Sequence, residues 1–142
     1  MLVQKFANEF KEIRPWSEDT YFITSLPMDA IRLRERGLDH ASFLADVVQK
    51  ELLPQAVRQP LLMRAKQVVP NASLHDASLR AANMRGVFQV LEPMTSSVIL
   101  VDDVCTTGAT AREAARILLE AGAPEVHLFT FASGVKRIEA RE

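Results

Sequence analysis

The sequence predicts an α/β fold with a mainly parallel central sheet and flanking helices. Three observations support this class. Short apolar segments typical of strands alternate along the chain with segments of helical periodicity. Val98–Val101 is apolar at every position, as strands are when a parallel sheet is covered on both faces. The order strand, helix, strand is typical of parallel sheets, in which ligands bind at the carboxyl ends of the strands.

The first third of the chain is expected to hold two helices with one strand between them. Leu2–Ile13 has apolar residues at helical spacing with charges between them, so it predicts a helix. Tyr21–Leu26 is rich in β-forming residues and predicts a strand, which stops at a proline. Asp29–Asp39 is charged and predicts a loop, whereas the apolar stripe of His40–Leu53 predicts a second helix.

The middle of the chain predicts short elements separated by loops. Pro60–Met63 is a short apolar run that predicts a strand, and Ala65–Ala72 lacks clear periodicity and predicts a loop. Ser73–Met84 predicts a helix with a serine at its N-cap and Gly86 as its stop. Phe88–Leu91 is again short and apolar, as a strand would be.

The last third predicts one long helix and the final strand of the sheet. Thr110–Ala121 has strong helical periodicity and is followed by a glycine, and Val126–Phe131 is rich in β-forming residues. Because the length is ordinary and no internal repeat is present, residues 1–142 are expected to form one domain. In this interpretation residues 1–19 are an N-terminal helix and linker, and residues 20–142 are the core.

Composition and charge exclude several classes of protein. The chain has 142 residues, of which 48% are hydrophobic and 25% charged, so a folded domain is expected rather than disorder. Its one cysteine cannot form an internal disulfide. The balance of 17 Lys+Arg against 18 Asp+Glu excludes a globally basic nucleic-acid binder, although a local basic patch stays open. The sequence shows neither a targeting segment nor an apolar run of membrane-spanning length, so a cytoplasmic location is predicted.

The segment Val98–Thr110, which reads VILVDDVCTTGAT, carries the strongest functional signal. Asp102 and Asp103 stand at the carboxyl end of its apolar strand, and a short turn then leads into a helix. The N-terminus of a helix favours a phosphate, because its N–H groups are unpaired and its dipole end is positive. Gly108 permits a close approach of the backbone to such a ligand. Hydroxyl groups that can donate to phosphate oxygens come from Thr106, Thr107 and Thr110.

The acid pair needs a group between itself and a phosphate, because carboxylates and phosphate repel each other. A ribose ring meets this need, since its hydroxyls can donate hydrogen bonds to Asp102 and Asp103. Mg²⁺ would also take oxygen ligands there, usually through water. The alternative is a capped turn without a ligand, in which Thr110 and Glu113 form a capping box. The segment is neither a Walker loop nor a dinucleotide fingerprint, because the lysine and the glycines of those motifs are missing.

The same segment resembles the phosphoribosyl-pyrophosphate (PRPP) signature of type I phosphoribosyltransferases, and the chain is similar to their ComF-like group. Pro27–Ala45 resembles the arginine-containing segment of that group, and Leu79–Phe88 resembles its Arg-x-x-Asn-x-x-x-x-Phe motif. The resemblance extends from Tyr21 to Phe131. Val68–Leu74 lacks the Thr-x-x-Gln that the group usually carries there, and the cysteine-rich zinc ribbon that begins many members has no counterpart in this sequence.

The resemblance implies an activity and a set of site residues. PRPP would place its ribose on Asp102 and Asp103, which are then the catalytic residues, with Mg²⁺ held by the same pair through water or ribose. A nitrogen nucleophile would displace pyrophosphate from the anomeric carbon. The residues that would bind the 5′-phosphate of PRPP are Cys105, Thr106, Thr107, Gly108, Ala109 and Thr110.

Basic residues provide candidates for binding the pyrophosphate. Arg32, Arg34 and Arg36 follow a predicted strand end, and guanidinium groups match phosphate geometry. Lys66 is a further candidate on a predicted loop. The alternatives are a solvated charged loop and a nucleic-acid patch, but Phe88 is the one aromatic residue that interleaves with the basic ones. The charges around Lys66 are expected to be solvent-exposed, and belong to Arg58, Arg64, Lys66, Arg80 and Arg85.

The histidines and the cysteine receive no chemical role from the sequence. His40, His75 and His127 lack the spacing of metal ligands, and no base role is assigned to them. Cys105 lies where a helix N-terminus would favour a thiolate, but no partner base is evident. Its side chain is therefore expected to pack while its backbone N–H faces the ligand. Asp39 or His40 is suited to cap the helix that follows.

Three functional hypotheses remain. The first is a phosphoribosyltransferase that uses Mg²⁺ and transfers phosphoribosyl from PRPP to a nitrogen acceptor. The second is a non-catalytic module that binds PRPP or a nucleotide 5′-monophosphate, with a role in competence and DNA uptake. The third is a structural turn without a ligand. The resemblance implies homodimers as a common arrangement, and Phe6 and Phe10 of the first helix are expected to pack either on a partner or on the chain's own sheet.

Overall fold

The structure is a computed structural model that describes residues 20–65, 82–105 and 108–133. The helix predicted over Leu2–Ile13 lies outside these residues, as do nearly all of the loop predicted over Ala65–Ala72 and most of the helix predicted over Ser73–Met84. Residues 82–84 are helical, and Gly86 follows with a φ of 71°. This left-handed conformation fits the predicted role of Gly86 as the stop of that helix.

A parallel sheet of four strands forms the centre of the fold. The described residues contain six strands, namely β1 (Phe22–Ser25), β2 (Val57–Arg58), β3 (Leu62–Arg64), β4 (Phe88–Val90), β5 (Val98–Cys105) and β6 (Val126–Ser133). The parallel sheet has the order β2-β1-β5-β6, and β3 and β4 form a separate antiparallel pair. The predicted α/β class with a mainly parallel sheet is therefore confirmed.

The strand β5 extends beyond the apolar run Val98–Val101 from which it was predicted. Its backbone continues to pair with β6, with Asp102 opposite Thr130 and Cys105 opposite Ser133. The acid pair therefore belongs to the strand itself, which holds its backbone more firmly than a turn would.

The other predicted strands are present with altered ends. Tyr21–Leu26 shortens to β1, Pro60–Met63 shifts to β3, Phe88–Leu91 shortens to β4, and Val126–Phe131 lengthens to β6. The strand β2 was not predicted, because two residues are too few to show an alternating pattern. Pairing with a neighbouring strand decides these ends, and that pairing is not visible in a local pattern.

A short helix occupies the segment for which a loop was predicted. The described residues contain three complete helices, namely α1 (Ala30–Arg36), α2 (His40–Glu51) and α3 (Ala109–Glu120). The loop prediction for Asp29–Asp39 is wrong because both ends of α1 are capped. Asp29 Oδ1 accepts a hydrogen bond from the backbone N–H of Ile31 at 2.8 Å, and Gly37 ends the helix with a φ of 70°. Since α1 buries none of its residues, it has no apolar stripe to reveal it.

The two longer helices confirm the predictions from the apolar stripes of His40–Leu53 and Thr110–Ala121, again with slightly different ends. Asp39, one of the two residues predicted to cap this helix, is the N-cap of α2. Its Oδ1 accepts a hydrogen bond from the backbone N–H of Ser42 at 2.9 Å. No helix in the described parts of the chain is long and apolar enough to cross a membrane.

Two apolar layers cover opposite faces of the parallel sheet. On one face Ile99 of β5 packs in a buried cluster with Val48 of α2. On the other face Leu100 of β5 packs with Leu118 of α3 and with the β3–β4 pair. Because successive side chains of a strand point to opposite faces, β5 contributes to both layers. This arrangement explains why Val98–Val101 is apolar without interruption.

Candidate functional site

The candidate site lies where the carboxyl ends of β1 and β5 meet. The backbone N–H of Leu26, just after β1, donates to the carbonyl oxygen of Val101 at 2.8 Å and holds the two ends together. Asp102 and Asp103 follow on β5, and α3 is capped by Gly108 three residues beyond the end of that strand. The site therefore occupies the edge of the sheet where ligands bind in parallel α/β folds.

Asp102 is partly withdrawn from water, and its pKa is raised to about 7. Burial is the largest cause, and a hydrogen bond to the side chain of Asp103 and the charge of Asp103 raise the pKa further. The backbone N–H of Asp103 and the charge of Arg64 act in the opposite direction. The acid pair consequently carries less negative charge near neutral pH than two ordinary aspartates would, and a ligand that donates hydrogen bonds would favour the ionised form.

Asp103 is partly exposed and lies between two basic side chains. Its Oδ2 is 3.6 Å from Nη1 of Arg36 and 3.8 Å from Nδ1 of His40, and its Oδ1 accepts a hydrogen bond from the backbone N–H of Val104 at 2.9 Å. Arg36 ends α1 and His40 begins α2, so the junction between these helices faces the acid. The sequence predicted at most a capping role for His40, because nothing local in the sequence indicates its nearness to Asp103.

The helical conformation of α1 separates the three arginines that were predicted to act from a loop. Arg32 and Arg36 are four residues apart and lie on one side of the helix, whereas Arg34 lies on the opposite side. All three side chains are exposed. Arg36 contacts the acid pair, and the charge of Arg32 lies within range of Arg64. The structure thus brings two of the three arginines to the side of the helix that faces the site.

Arg64, at the end of β3, is a site residue that sequence reasoning missed. Its Nε donates to the carbonyl oxygen of Pro27 at 2.9 Å, and its guanidinium carbon lies 5.3 Å from the centre of the Phe88 ring. Burial lowers the pKa of Arg64, while the charges of Asp29 and Asp102 act to raise it. The available signal was a lone arginine directly after an apolar strand. The sequence instead predicted that this side chain is exposed to solvent.

The loop between β5 and α3 is described at its two ends. Gly108 is buried and has a φ of 79°, a conformation that strains any residue with a side chain. It places the backbone of Ala109 and Thr110 in the first turn of α3, and Cys105 is the last residue of β5. Three of the predicted phosphate and pyrophosphate contacts, Thr106, Thr107 and Lys66, lie outside the described residues.

The capping box that the alternative, ligand-free interpretation assigned to Thr110 and Glu113 is not formed. The N-cap position belongs to Gly108, and Thr110 already lies inside α3. The buried carboxylate of Glu113 instead accepts a hydrogen bond from the backbone N–H of Gly86 at 3.1 Å and forms an ion pair with Arg116 at 2.7 Å. The purely structural interpretation of this turn therefore loses its main support, and Glu113 connects α3 to the turn before β4.

The acid pair by itself does not supply a full set of metal ligands. Within residues 20–65, 82–105 and 108–133, no group of three or more His, Cys, Asp or Glu side chains is placed to hold a metal ion. Mg²⁺ is commonly held by one or two carboxylates together with water and substrate phosphates. The oxygen atoms of Asp102 and Asp103 fit this mode of binding, in which the substrate supplies the remaining ligands.

Comparisons with known proteins bear on this site. Residues 62–142 match the family described as the phosphoribosyl transferase domain. The chain is also 31% identical over 127 residues to competence protein ComFC of Bacillus subtilis, an alignment that covers 88% of this chain and 49% of that protein. The chain thus spans about half the length of the curated relative that it matches. The matched region contains the acid pair Asp102 and Asp103 and the helix cap Gly108.

Proposed function

Because the chain belongs to the phosphoribosyltransferase family and has a ComF-like relative, we propose that it binds PRPP at the carboxyl edge of its sheet. We further propose that it transfers the phosphoribosyl group to a nitrogen acceptor and releases pyrophosphate. The observation that carries this proposal is the meeting of the acid pair, Asp102 and Asp103, with the glycine-capped N-terminus of α3. Acceptors for ribose hydroxyls and donors for a phosphate then stand at the same edge of the sheet.

In this proposal the two ends of ribose 5-phosphate bind to different elements. The ribose hydroxyls donate to Asp102 and Asp103, and these bonds stabilise the ionised form of Asp102 against the cost of its burial. The 5′-phosphate accepts hydrogen bonds from backbone N–H groups and hydroxyls at the start of α3. The residues proposed for the 5′-phosphate are Cys105, Thr106, Thr107, Gly108, Ala109 and Thr110.

The pyrophosphate of PRPP is proposed to lie near the side of α1 that faces the site. Arg36 would exchange its contact with Asp103 for a phosphate oxygen, and Arg32 lies one helical turn away on the same side. Arg34 and Lys66 are retained as further candidates. Two guanidinium groups on one side of a helix match the spacing of a diphosphate better than a single surface cation does.

The reaction would be a substitution at the anomeric carbon. The lone pair of the acceptor nitrogen forms the new C–N bond, the C–O bond to pyrophosphate breaks, and pyrophosphate leaves with its electron pair. The nitrogen then loses a proton to solvent. Asp102 and Asp103 orient the ribose and stabilise its developing positive charge. Mg²⁺ held by the same two carboxylates would supply charge neutralisation for the pyrophosphate.

A ligand titration tests the proposal. PRPP with Mg²⁺ at about 100 times Kd should raise the melting temperature by roughly 5 to 10 °C. The variant Asp102→Asn/Asp103→Asn should lose this shift, because it removes both negative charges and replaces one acceptor oxygen of each side chain by an N–H donor. Glu125→Gln is the control, since it removes an exposed carboxylate just before the amino end of β6. An unchanged melting temperature for the parent protein would refute ligand binding at this site.

A second measurement separates transfer from binding. Pyrophosphate release from PRPP is followed with a panel of purine and pyrimidine bases and simple amines. Release that depends on one of them supports the transferase. Stabilisation by PRPP without release with any acceptor supports instead the non-catalytic module, with a role in competence such as the name of the relative suggests. The observation that favours this second candidate is the absence of Thr-x-x-Gln from Val68–Leu74.

A further inference from the structure

Arg58, on the short strand β2, joins three elements beside the candidate site. Its Nε donates to Oδ1 of Asp46 at 3.0 Å, and its Nη2 donates to Oγ of Ser42 at 3.1 Å and to Oγ of Ser25 at 3.4 Å. Asp46 and Ser42 belong to α2, whereas Ser25 is the last residue of β1. The sequence predicted that the side chain of Arg58 is exposed to solvent, but it is only 20% exposed. A guanidinium group suits this role because its donors are fixed in one plane and point in different directions.

The ion pair with Asp46 does not by itself explain this arrangement. The side chain of Asp46 is 61% exposed, and exposed ion pairs contribute little to stability. The hydrogen bonds to Ser42 and Ser25 are instead partly buried. The distinctive feature of Arg58 is therefore the link that it makes between the start of α2 and the end of β1.

The buried side chains in the first half of α2 are small. Ala41 and Ala45 are its buried residues there, whereas the larger Val48 follows in the second half. Leu44 is only partly buried, and Phe43 is 63% exposed. Because methyl groups interlock less with a neighbouring surface than branched side chains do, apolar packing restricts this half of the helix less than the other. The directional bonds from Arg58 restrict its sliding and rotation on the sheet.

The first turn of α2 is also the part of the helix that reaches the acid pair. Nδ1 of His40 lies 3.8 Å from Oδ2 of Asp103. The N-cap Asp39 accepts a hydrogen bond from the backbone N–H of Ser42, the same residue whose hydroxyl accepts from Arg58. A displacement of Ser42 would therefore move both the cap and His40 relative to the acid.

The other end of the link lies at the edge of the sheet. Ser25 directly precedes Leu26, whose backbone N–H donates to the carbonyl oxygen of Val101 at 2.8 Å. Val101 directly precedes the acid pair on β5. Arg58 thus connects the helix that carries a basic side chain of the site to the part of the sheet that carries the acids.

We propose that Arg58 is a positioning residue that sets the start of α2 against the carboxyl edge of the sheet, and thereby places His40 and Arg36 beside Asp103. Arg36 precedes the cap of α2 by three residues, and its Nη1 is 3.6 Å from Oδ2 of Asp103. Both contacts are longer than hydrogen bonds, so a displacement of about 1 Å would change them substantially. The placement follows from contacts within the chain, whereas its consequence for PRPP binding rests on the proposed function.

Histidine ring signals in ¹H–¹³C NMR spectra of the full chain test the placement without a ligand. Arg58→Met removes the donors and keeps an aliphatic side chain. Ser25→Ala/Ser42→Ala removes two acceptors and keeps the charge of Arg58. At one fixed pH, both variants should move the ring signal of His40, which is assigned by its loss in His40→Gln.

Two controls separate a displaced helix from other effects. The signal of His127, near the amino end of β6, should stay in place in every variant. Asp46→Asn should leave the His40 signal unchanged, because the bonds from Arg58 to the serines remain. An unmoved His40 signal in both test variants would overturn the proposal. A shift with Arg58→Met alone, which would report a lost charge, or a shift of both histidines, which would report a loosened fold, would overturn it as well.

Calorimetric titration with PRPP and Mg²⁺ measures the consequence for the site. Both test variants should bind PRPP about tenfold more weakly than the parent, because the charge-assisted contact from Arg36 is misplaced. Asp46→Asn should bind PRPP as the parent does. If the parent binds no PRPP, the proposed function fails, and the His40 signal still decides the placement of α2. Equal affinities in the presence of a displaced His40 would overturn the inferred consequence for the ligand.

Discussion

Asp102 is held partly out of water next to a second carboxyl group, and the pKa of Asp102 rises from 3.8 to about 7 as a result. The folded protein therefore keeps this proton to a higher pH than the unfolded chain does. Between these two values the folded state binds more protons, so the free energy of unfolding falls as the pH rises. A residue suited to hold ribose hydroxyls thus costs the unliganded protein stability above neutral pH, as functional groups often do.

This leads to a prediction for Asp102→Asn in the absence of divalent ions. The variant removes the buried negative charge but keeps the shape, so it should be more stable than the parent at pH 8 by about 1 to 2 kcal/mol after solvent screening. Near pH 4 the two proteins should be similar. Urea unfolding at both pH values measures the difference, with Glu125→Gln as the control at an exposed acid. A less stable variant at pH 8 would show that the attraction between Arg64 and ionised Asp102 stabilises the fold by more than the burial of this charge costs.

The helices show that an element can form without an apolar pattern when its ends are capped. The seven residues of α1 bury nothing, and the helix exists because Asp29 caps its start and Gly37 its end. The twelve residues of α2 have both a cap at Asp39 and three buried residues. Packing makes α2 part of the cooperative fold, whereas α1 is attached mainly through its ends and is expected to open locally.

Removing the two caps should therefore have different consequences. Asp39→Ala should lower the global free energy of unfolding by about 1 kcal/mol, because the N–H of Ser42 loses its acceptor at the start of a packed helix. Asp29→Ala should lower the global free energy of unfolding by only a few tenths of this amount, since α1 can fray without disturbing the core. Urea titrations of both variants make the comparison. Equal losses would mean that α1 is as tightly coupled to the core as α2.

At the scale of the whole molecule, the parallel sheet separates two apolar layers and collects the polar groups at one edge. The layers are supplied by alternating residues of the central strands, and α2 and α3 cover opposite faces. The acid pair, the end of α1 and the start of α3 meet at the carboxyl edge because the parallel strands β1 and β5 end there together. The site is thus a product of the topology rather than of any one element.

The importance of the two-layer core can be measured by truncating one of its members. Leu118 of α3 is fully buried, so Leu118→Ala should cost about 2 to 5 kcal/mol through lost burial and a new cavity. Leu91→Ala, at a residue that is 50% exposed, should cost under about 1 kcal/mol and serves as the matched control. Both values come from urea unfolding. Similar losses for the two variants would contradict the assignment of Leu118 to the core.

Local patterns were sufficient to predict the α/β class, α2, α3 and the central strand, since each of these buries apolar residues at a regular spacing. They also predicted Asp102, Asp103 and Gly108 as candidate site residues, because the order of strand, acids and helix start is contained in one segment; their roles stay predictions. The same reasoning failed for α1, which lacks an apolar stripe, and for β2, which is too short to show a pattern.

Tertiary structure alone decided which distant residues share the site. Along the chain, about 40 to 70 residues separate the acid pair from Arg36, His40 and Arg64. Nothing in the neighbouring sequence indicates that folding brings these side chains close to the acids. The raised pKa of Asp102 has the same origin, because burial and the proximity of Asp103 exist only once β5 lies between β1 and β6. A sequence pattern reports the periodicity of burial along one element, whereas electric fields and ion pairs depend on distances between elements.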